Sequence, residues 1–120
     1  MFKATLIFTL AFNTVLGLSQ TQSQGKVFWR GTVDDKVQLV ISGDKIETKT
    51  ISGRPNNDAV FSFVSYLPRQ AVNVNVNKKE GRSRRITVIQ QPNRDNDYTA
   101  IIEIHDDSGG PDVYLLEIYW

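Results

Sequence analysis

The residues best suited to ionic recognition are the basic ones between positions 78 and 85. This stretch reads Lys-Lys-Glu-Gly-Arg-Ser-Arg-Arg, and its basic members are Lys78, Lys79, Arg82, Arg84 and Arg85. Such a cluster attracts an anionic polysaccharide, lipopolysaccharide or an acidic protein. No aromatic residue alternates with the basic ones, so base stacking is not indicated and nucleic acid is not the expected partner. The alternative interpretation is a solvated turn whose charge is balanced by acids nearby.

Acidic residues form two further candidate sites. The segment Asp-Asp-Ser-Gly-Gly-Pro-Asp contains Asp106, Asp107 and Asp112, which together with Asp34 and Asp35 offer hard oxygen ligands to Ca²⁺. Their spacing matches no EF-hand, and turn chemistry alone favours Asp in such a segment. The same two interpretations apply to Asp95-Asn96-Asp97. No cofactor is therefore expected, and a calcium site formed by these acids is the alternative.

Catalysis would have to rely on carboxylates. The chain has no Cys and a single His, which excludes thiol nucleophiles and multi-histidine metal sites. His105 lacks the partners of a catalytic set, and we interpret it as a strand-end residue. Glu103 and Glu117 are expected on one face of neighbouring strands, where they keep that face soluble. We predict a protein that is not an enzyme, and the alternative is a hydrolase that uses Asp106, Asp107 or Glu103.

The aromatic residues raise the question of a sugar-stacking platform. The candidates are Phe28, Trp29, Tyr66, Tyr98, Tyr114, Tyr119 and Trp120. Alternate residues of a strand share one face, and most of these aromatic residues fall on the same face as the apolar residues of their strands. This position predicts that they are buried. Only Tyr119 and Phe28 are expected to face outwards, and two aromatic residues are too few to indicate a carbohydrate site.

The first residues have the order of a secretory signal peptide. Lys3 precedes the apolar run Ala4 to Leu18, and a polar stretch from Ser19 to Gln24 follows. The run is shorter than the roughly 20 apolar residues that span a bilayer. We therefore predict a signal peptide over residues 1–19 with cleavage after Ser19, a second choice at Ser23/Gln24, and a flexible polar segment over residues 20–25. The alternative is a buried helix or an uncleaved anchor.

Charge and composition agree with export. Removal of Lys3 from the 14 basic residues leaves 13, equal to the 13 acidic residues, so the mature chain is neutral and a partner would be recruited by a local patch. The chain has no Asn-x-Ser/Thr acceptor and no Cys. Both absences are typical of a bacterial exported protein. We expect this protein to be periplasmic or extracellular, without a membrane span after cleavage.

From residue 26 onwards, apolar residues recur with period two between Gly, Pro, Asn and Asp. This pattern predicts one all-β domain over residues 26–120, an antiparallel β-sandwich of about eight strands with a Greek-key, immunoglobulin-like arrangement. The predicted strands are Lys26–Val33, Lys36–Ser42, Lys45–Ser52, Val60–Tyr66, Ala71–Asn77, Arg84–Gln90, Tyr98–His105 and Val113–Trp120.

Two hairpin registers follow from the pattern. The turn Gly43-Asp44 places Ile41 opposite Ile46. In a last hairpin, Ile104 would pair with Tyr114, and in the same register Ile102 with Leu116, Ala100 with Ile118 and Tyr98 with Trp120. The carboxyl-terminal strand is apolar on both faces, which predicts a central position in its sheet.

Alternating strand direction sorts the loops onto two ends of the domain. One end should collect residues 34–35, 53–59, 78–83 and 106–112. The other should collect residues 43–44, 67–70 and 91–97. The basic cluster and the loop 106–112 are thereby expected at the same end.

Three segments stand out together: Val37 to Gly43, Gln90-Gln91-Pro92 with Asn96 to Ala100, and the terminal Glu117-Ile118-Tyr119-Trp120. With them the chain resembles small exported bacterial β-sandwich proteins of unassigned function. The resemblance covers nearly the whole mature chain. It supports the expected fold and implies no activity and no functional residue.

Overall fold

The computed structural model describes residues 25–120, and the predicted signal peptide and most of the polar segment lie outside this range. Eight strands make up the fold: β1 Lys26–Val33, β2 Lys36–Ser42, β3 Lys45–Ser52, β4 Val60–Phe63, β5 Asn75–Glu80, β6 Ile86–Gln90, β7 Ala100–His105 and β8 Asp112–Tyr119. The one helical element is a 3₁₀ turn over Arg94–Asn96. Nowhere in residues 25–120 is there a helix with the length and apolar character to cross a membrane.

The strands form two antiparallel four-stranded sheets. One sheet has the order β4-β1-β8-β5 and the other β3-β2-β7-β6. The two sheets pack face to face, so the all-β, sandwich-like architecture expected from the period-two pattern is confirmed. The predicted central position of β8 is also correct, because β8 lies between β1 and β5.

The core lies between the sheets and is built from alternate residues of the strands. Trp29, Leu39, Ile102 and Leu116 are among its fully buried members. The indole N–H of Trp29 donates to the hydroxyl of Thr48 at 3.1 Å, so the polar group of the largest buried side chain has a hydrogen-bond partner. Alternation is clear around β5, where Val74 is buried and the asparagines beside it are exposed.

The first three strands have the predicted bounds, and Ile41 lies opposite Ile46 as expected. β4 ends earlier than predicted because it pairs with β1, whose first residue is Lys26. The amides of Val64 and Ser65 both donate to the carbonyl of Lys26, and no residue of β1 remains beyond it. β4 therefore stops at Phe63.

β5 begins later than predicted and runs further. The side chain of Gln91 binds the amide and carbonyl of Val74 at 2.7 and 3.0 Å, which replaces strand pairing at that residue. Pairing with β8 then continues to Glu80 through a bulge. Lys78 and Lys79 are thus strand residues, and the turn that follows spans only residues 81–85.

The predicted last hairpin is wrong. β7 pairs with β2 and β6, whereas β8 pairs with β1 and β5 in the other sheet. Residues 106–111 cross between the sheets. Ile104 and Tyr114 both point into the core, but they do so from facing sheets rather than from neighbouring strands. Tyr98, which was expected opposite Trp120, lies outside β7 in a left-handed conformation with φ of 56°.

The predicted sorting of loops is confirmed by contacts at both ends. At the end that holds the basic residues, the amide of Asp106 donates to the carbonyl of Asp35 at 2.6 Å, and the amide of Arg54 donates to Asp34 at 2.8 Å. At the opposite end, the amide of Leu67 donates to the carbonyl of Gly43 at 2.9 Å. We call these the basic end and the opposite end.

Candidate functional site

Two of the five predicted binding residues are held by acids of the β7–β8 loop and of the first residue of β8. The guanidinium of Arg82 lies 3.4 Å from the carboxylate of Asp112, and its backbone amide donates to the same carboxylate at 2.8 Å. Arg85 forms an ion pair with Asp107 at 2.9 Å. The β7–β8 loop therefore folds against the turn of residues 81–85, which we call the basic turn. Its acids offset part of the positive charge of that turn.

The two lysines are also engaged. The ammonium of Lys78 donates to the carbonyls of Gly81 and Ser83 at 2.6 and 3.2 Å, so it closes the turn. The ammonium of Lys79 lies 3.8 Å from Glu117 on the outer face of the sheet. These contacts leave the five basic residues in different environments rather than in one group of unpaired cations.

Arg84 is the member that stays available. Its side chain is exposed and has no carboxylate partner among residues 25–120. It lines a cleft of about 380 Å³ between the edges of β5 and β6, with Val76, Asn77, Lys78 and Ile86 as the other lining residues. The cleft thus combines an apolar wall from two partly buried side chains with a free cation. We call it the β5/β6 cleft.

A buried polar cluster holds the basic turn in place. Asp106 is only 1 % exposed, and its carboxylate accepts from the Tyr114 hydroxyl at 2.8 Å and from the amide and hydroxyl of Ser108. The Tyr114 hydroxyl in turn accepts from the amide of Ser83 at 2.9 Å. The Ser83 hydroxyl donates to the carbonyl of His105. This chain of hydrogen bonds joins the β5–β6 turn to the end of β7 and to β8.

The ionisation of this cluster reflects its contacts. Burial alone would raise the pKa of Asp106, but hydrogen bonds from Ser108 and Tyr114 and the charge of Arg82 outweigh it and hold that pKa below its usual range. Burial, reinforced by the Asp106 carboxylate, raises the pKa of Tyr114 to about 12. Asp106 is thus a charged group with a structural function, whereas its sequence context indicated a metal ligand or a catalytic acid.

The calcium hypothesis finds no supporting cluster. In the described part of the chain, no three acidic or histidine side chains gather as metal ligands. Asp107 and Asp112 bind different arginines, and Asp34 and Asp35 accept from Arg54 and Ser52. These carboxylates bind neighbouring loops, so the geometry does not strengthen the calcium alternative.

The acids of the alternative hydrolase are not arranged as a pair. Glu103 and Glu117 lie in different sheets on opposite outer faces, which corrects their expected position on one face. Glu103 accepts from Gln38 at 3.0 Å. The hydrogen bond from Arg85 keeps the pKa of Asp107 below its usual range, as the contacts of Asp106 do for that group. A general acid requires the reverse shift.

The remaining candidates have local partners. His105 lies at the end of β7, with its Nε2 3.3 Å from Asp35. Asp97 pairs with Arg69 at 2.8 Å, and Asp95 lies in the 3₁₀ turn capped by the Asn93 side chain. Trp29 and Tyr114 are core residues as predicted, and Tyr119 faces outwards as predicted.

Comparison with protein families, with characterised proteins and with solved structures finds no match to this chain.

Proposed function

We propose that this protein is a non-enzymatic binding module, exported from a bacterial cell or associated with its envelope, which engages an anionic partner through the β5/β6 cleft. The observation that carries the proposal is the unpaired guanidinium of Arg84 beside the apolar wall of Val76 and Ile86. The site is narrower than the whole basic cluster, because Arg82 and Arg85 are already paired with acids.

Among anionic partners, the cleft favours one with an apolar body next to its charge. Arg84 supplies planar donors for a phosphate or carboxylate, and the two aliphatic side chains supply apolar contact. A phosphorylated lipid such as lipopolysaccharide has both parts. A uniformly charged polysaccharide would use only the guanidinium, and an acidic protein would need an apolar residue beside its carboxylate.

The fold part of the proposal is a Greek-key arrangement of the immunoglobulin-like kind. Its support is the strand order, in which β5, β6 and β7 follow one another around the sandwich and β8 returns beside β5. This fits the similarity to small exported bacterial β-sandwich proteins. Export itself is tested by the mass of the secreted protein, which should begin at Gln20.

Binding is tested with purified lipopolysaccharide, heparin and poly-glutamate as separate probes. The wild type should bind lipopolysaccharide most tightly, and Arg84→Gln should weaken binding about tenfold or more, since a hydrogen bond to a charged group contributes about 1.5–3 kcal/mol. Arg94→Gln is the matched control, because Arg94 is exposed in the opposite-end loop. Equal binding by both variants, or no binding of any probe by the wild type, would overturn the proposal.

A further inference from the structure

The four sheet edges of this protein are not equally protected against pairing with another strand. β3 presents Lys45, Glu47 and Lys49. β5 carries Lys79 and Glu80 and a bulge, and the pairing of β6 is interrupted by a bulge between Val88 and Gln90. Charges and bulges of this kind prevent edge-to-edge association. Each of these three edges therefore has a standard protection.

β4 has none. Its four residues are uncharged, its register with β1 is regular, and it pairs with β1 alone in the described sheets. Three of its four side chains are apolar, and this edge is accessible, because Val60, Phe61 and the following Val64 are 60, 43 and 64 % exposed. The amide of Val64 donates to β1. Because the backbone hydrogen-bonding groups of successive residues point to alternate sides of a strand, the N–H and C=O groups of Phe61 and Phe63 point away from β1.

The sequence of this edge fits a second copy of itself. Residues 60–64 read Val-Phe-Ser-Phe-Val, which is the same in both directions. Antiparallel pairing about a two-fold axis at Ser62 places Val60 opposite Val64 and Phe61 opposite Phe63, so like side chains meet throughout. No charged residue occurs from 59 to 68, so no like charges repel.

We propose that β4 is a dimerisation strand, which joins two copies of this chain into one continuous eight-stranded sheet. The pairing uses the outward N–H and C=O groups of Phe61 and Phe63 of each copy. It leaves the β5/β6 cleft open, because β4 and β5 are at opposite edges of their sheet. The inference is independent of what the cleft binds.

A single introduced thiol tests the register, since the chain has no Cys. At the two-fold axis, the two Ser62 residues form a non-hydrogen-bonded pair with a Cα separation of about 4.5 Å, which suits a disulfide. Ser62→Cys should therefore form a covalent dimer on mild oxidation. Ser65→Cys is the matched control, because its two copies would lie about 20 Å apart at roughly 3.3 Å per residue.

Sedimentation of the unmodified protein tests the association itself. The wild type should show a concentration-dependent dimer, and Phe61→Lys should be monomeric with an unchanged circular dichroism spectrum. Ile89→Lys places the same charge at a similarly exposed position of β6 and should leave the dimer intact. The proposal would be overturned by a wild type that stays monomeric up to about 1 mM, or by equal crosslinking of the two cysteine variants. If the wild type is monomeric, the open edge of β4 would instead pair with a strand of another protein.

Discussion

The hydroxyl of Tyr114 donates a hydrogen bond of 2.8 Å to the buried carboxylate of Asp106. Tyr114 belongs to β8, and Asp106 directly follows β7, which lies in the other sheet. The same hydroxyl accepts from the amide of Ser83. One phenol oxygen thus ties both sheets and the basic turn together, and it does so where the chain crosses from one sheet to the other.

Tyr114→Phe should destabilise the protein by about 1–3 kcal/mol, because in a buried site it leaves the Ser83 amide without an acceptor and removes the hydroxyl donor from Oδ2 of Asp106. Urea unfolding measures the loss. Tyr119→Phe is the control, since Tyr119 is exposed on the outer face, and it should change stability little. Equal stability of the two variants would show that water replaces the Tyr114 hydroxyl.

Stability should fall in alkaline solution because of Tyr114. Burial raises the pKa of Tyr114 to about 12 in the folded protein, against about 10 in an unfolded chain. Its contribution is therefore fully present below about pH 10 and is lost as the pH rises through the folded value. Urea midpoints between pH 9 and 12, with phenolate absorbance, measure this, and Tyr114→Phe should show a smaller decline. An equal decline in both proteins would contradict the expected effect.

Asp107→Asn should increase retention on a heparin column. The change releases Arg85 from its 2.9 Å ion pair and adds an unpaired cation near Arg84. Stability should change little, because the pair is exposed and screened by solvent. Asp95→Asn removes the same charge at the opposite end and should have no comparable effect on the salt concentration at elution. Identical elution of the two variants would show that Arg85 does not face the ligand.

Gly81→Ala should be far more damaging than Gly43→Ala. Gly81 has φ of +128°, and a Cβ atom there would lie 2.2 Å from the Tyr114 ring. Gly43 also has a positive φ, of +58°, but a Cβ atom there meets nothing within 4 Å. Thermal unfolding should show a small shift for Gly43→Ala and a large one for Gly81→Ala. Similar shifts would mean that the Tyr114 ring moves aside freely.

The sequence pattern predicted the strands better than their partners. The turn at Gly43 determines a local register, so the β2–β3 pairing was predictable. The inward residues of β7 and β8 are apolar whether the strands lie side by side or face each other across the core, so period two cannot distinguish a hairpin from a crossover. This ambiguity produced the wrong pairing of Ile104 with Tyr114.

The site was less predictable than the fold. The clustering of positive charge was visible in the sequence, but the pairing of Arg82 and Arg85 depends on a loop that is distant along the chain. The signal that was missed is Asp106, a carboxylate directly after an apolar strand, with Tyr114 in the inward phase of β8. A buried phenol requires a hydrogen-bond partner, and the nearest acids along the chain were its candidates.

Gly25 and Trp120 exchange backbone hydrogen bonds in both directions, at 3.2 and 3.0 Å, at the opposite end. A short peptide linker can therefore join these two residues without disturbing a strand. New termini opened between Gly109 and Gly110, where a Cβ atom would meet nothing within 4 Å, would give a circularly permuted protein with all eight strands intact. A surface tether attached at Gly25 would hold the domain with its basic end pointing away from the support.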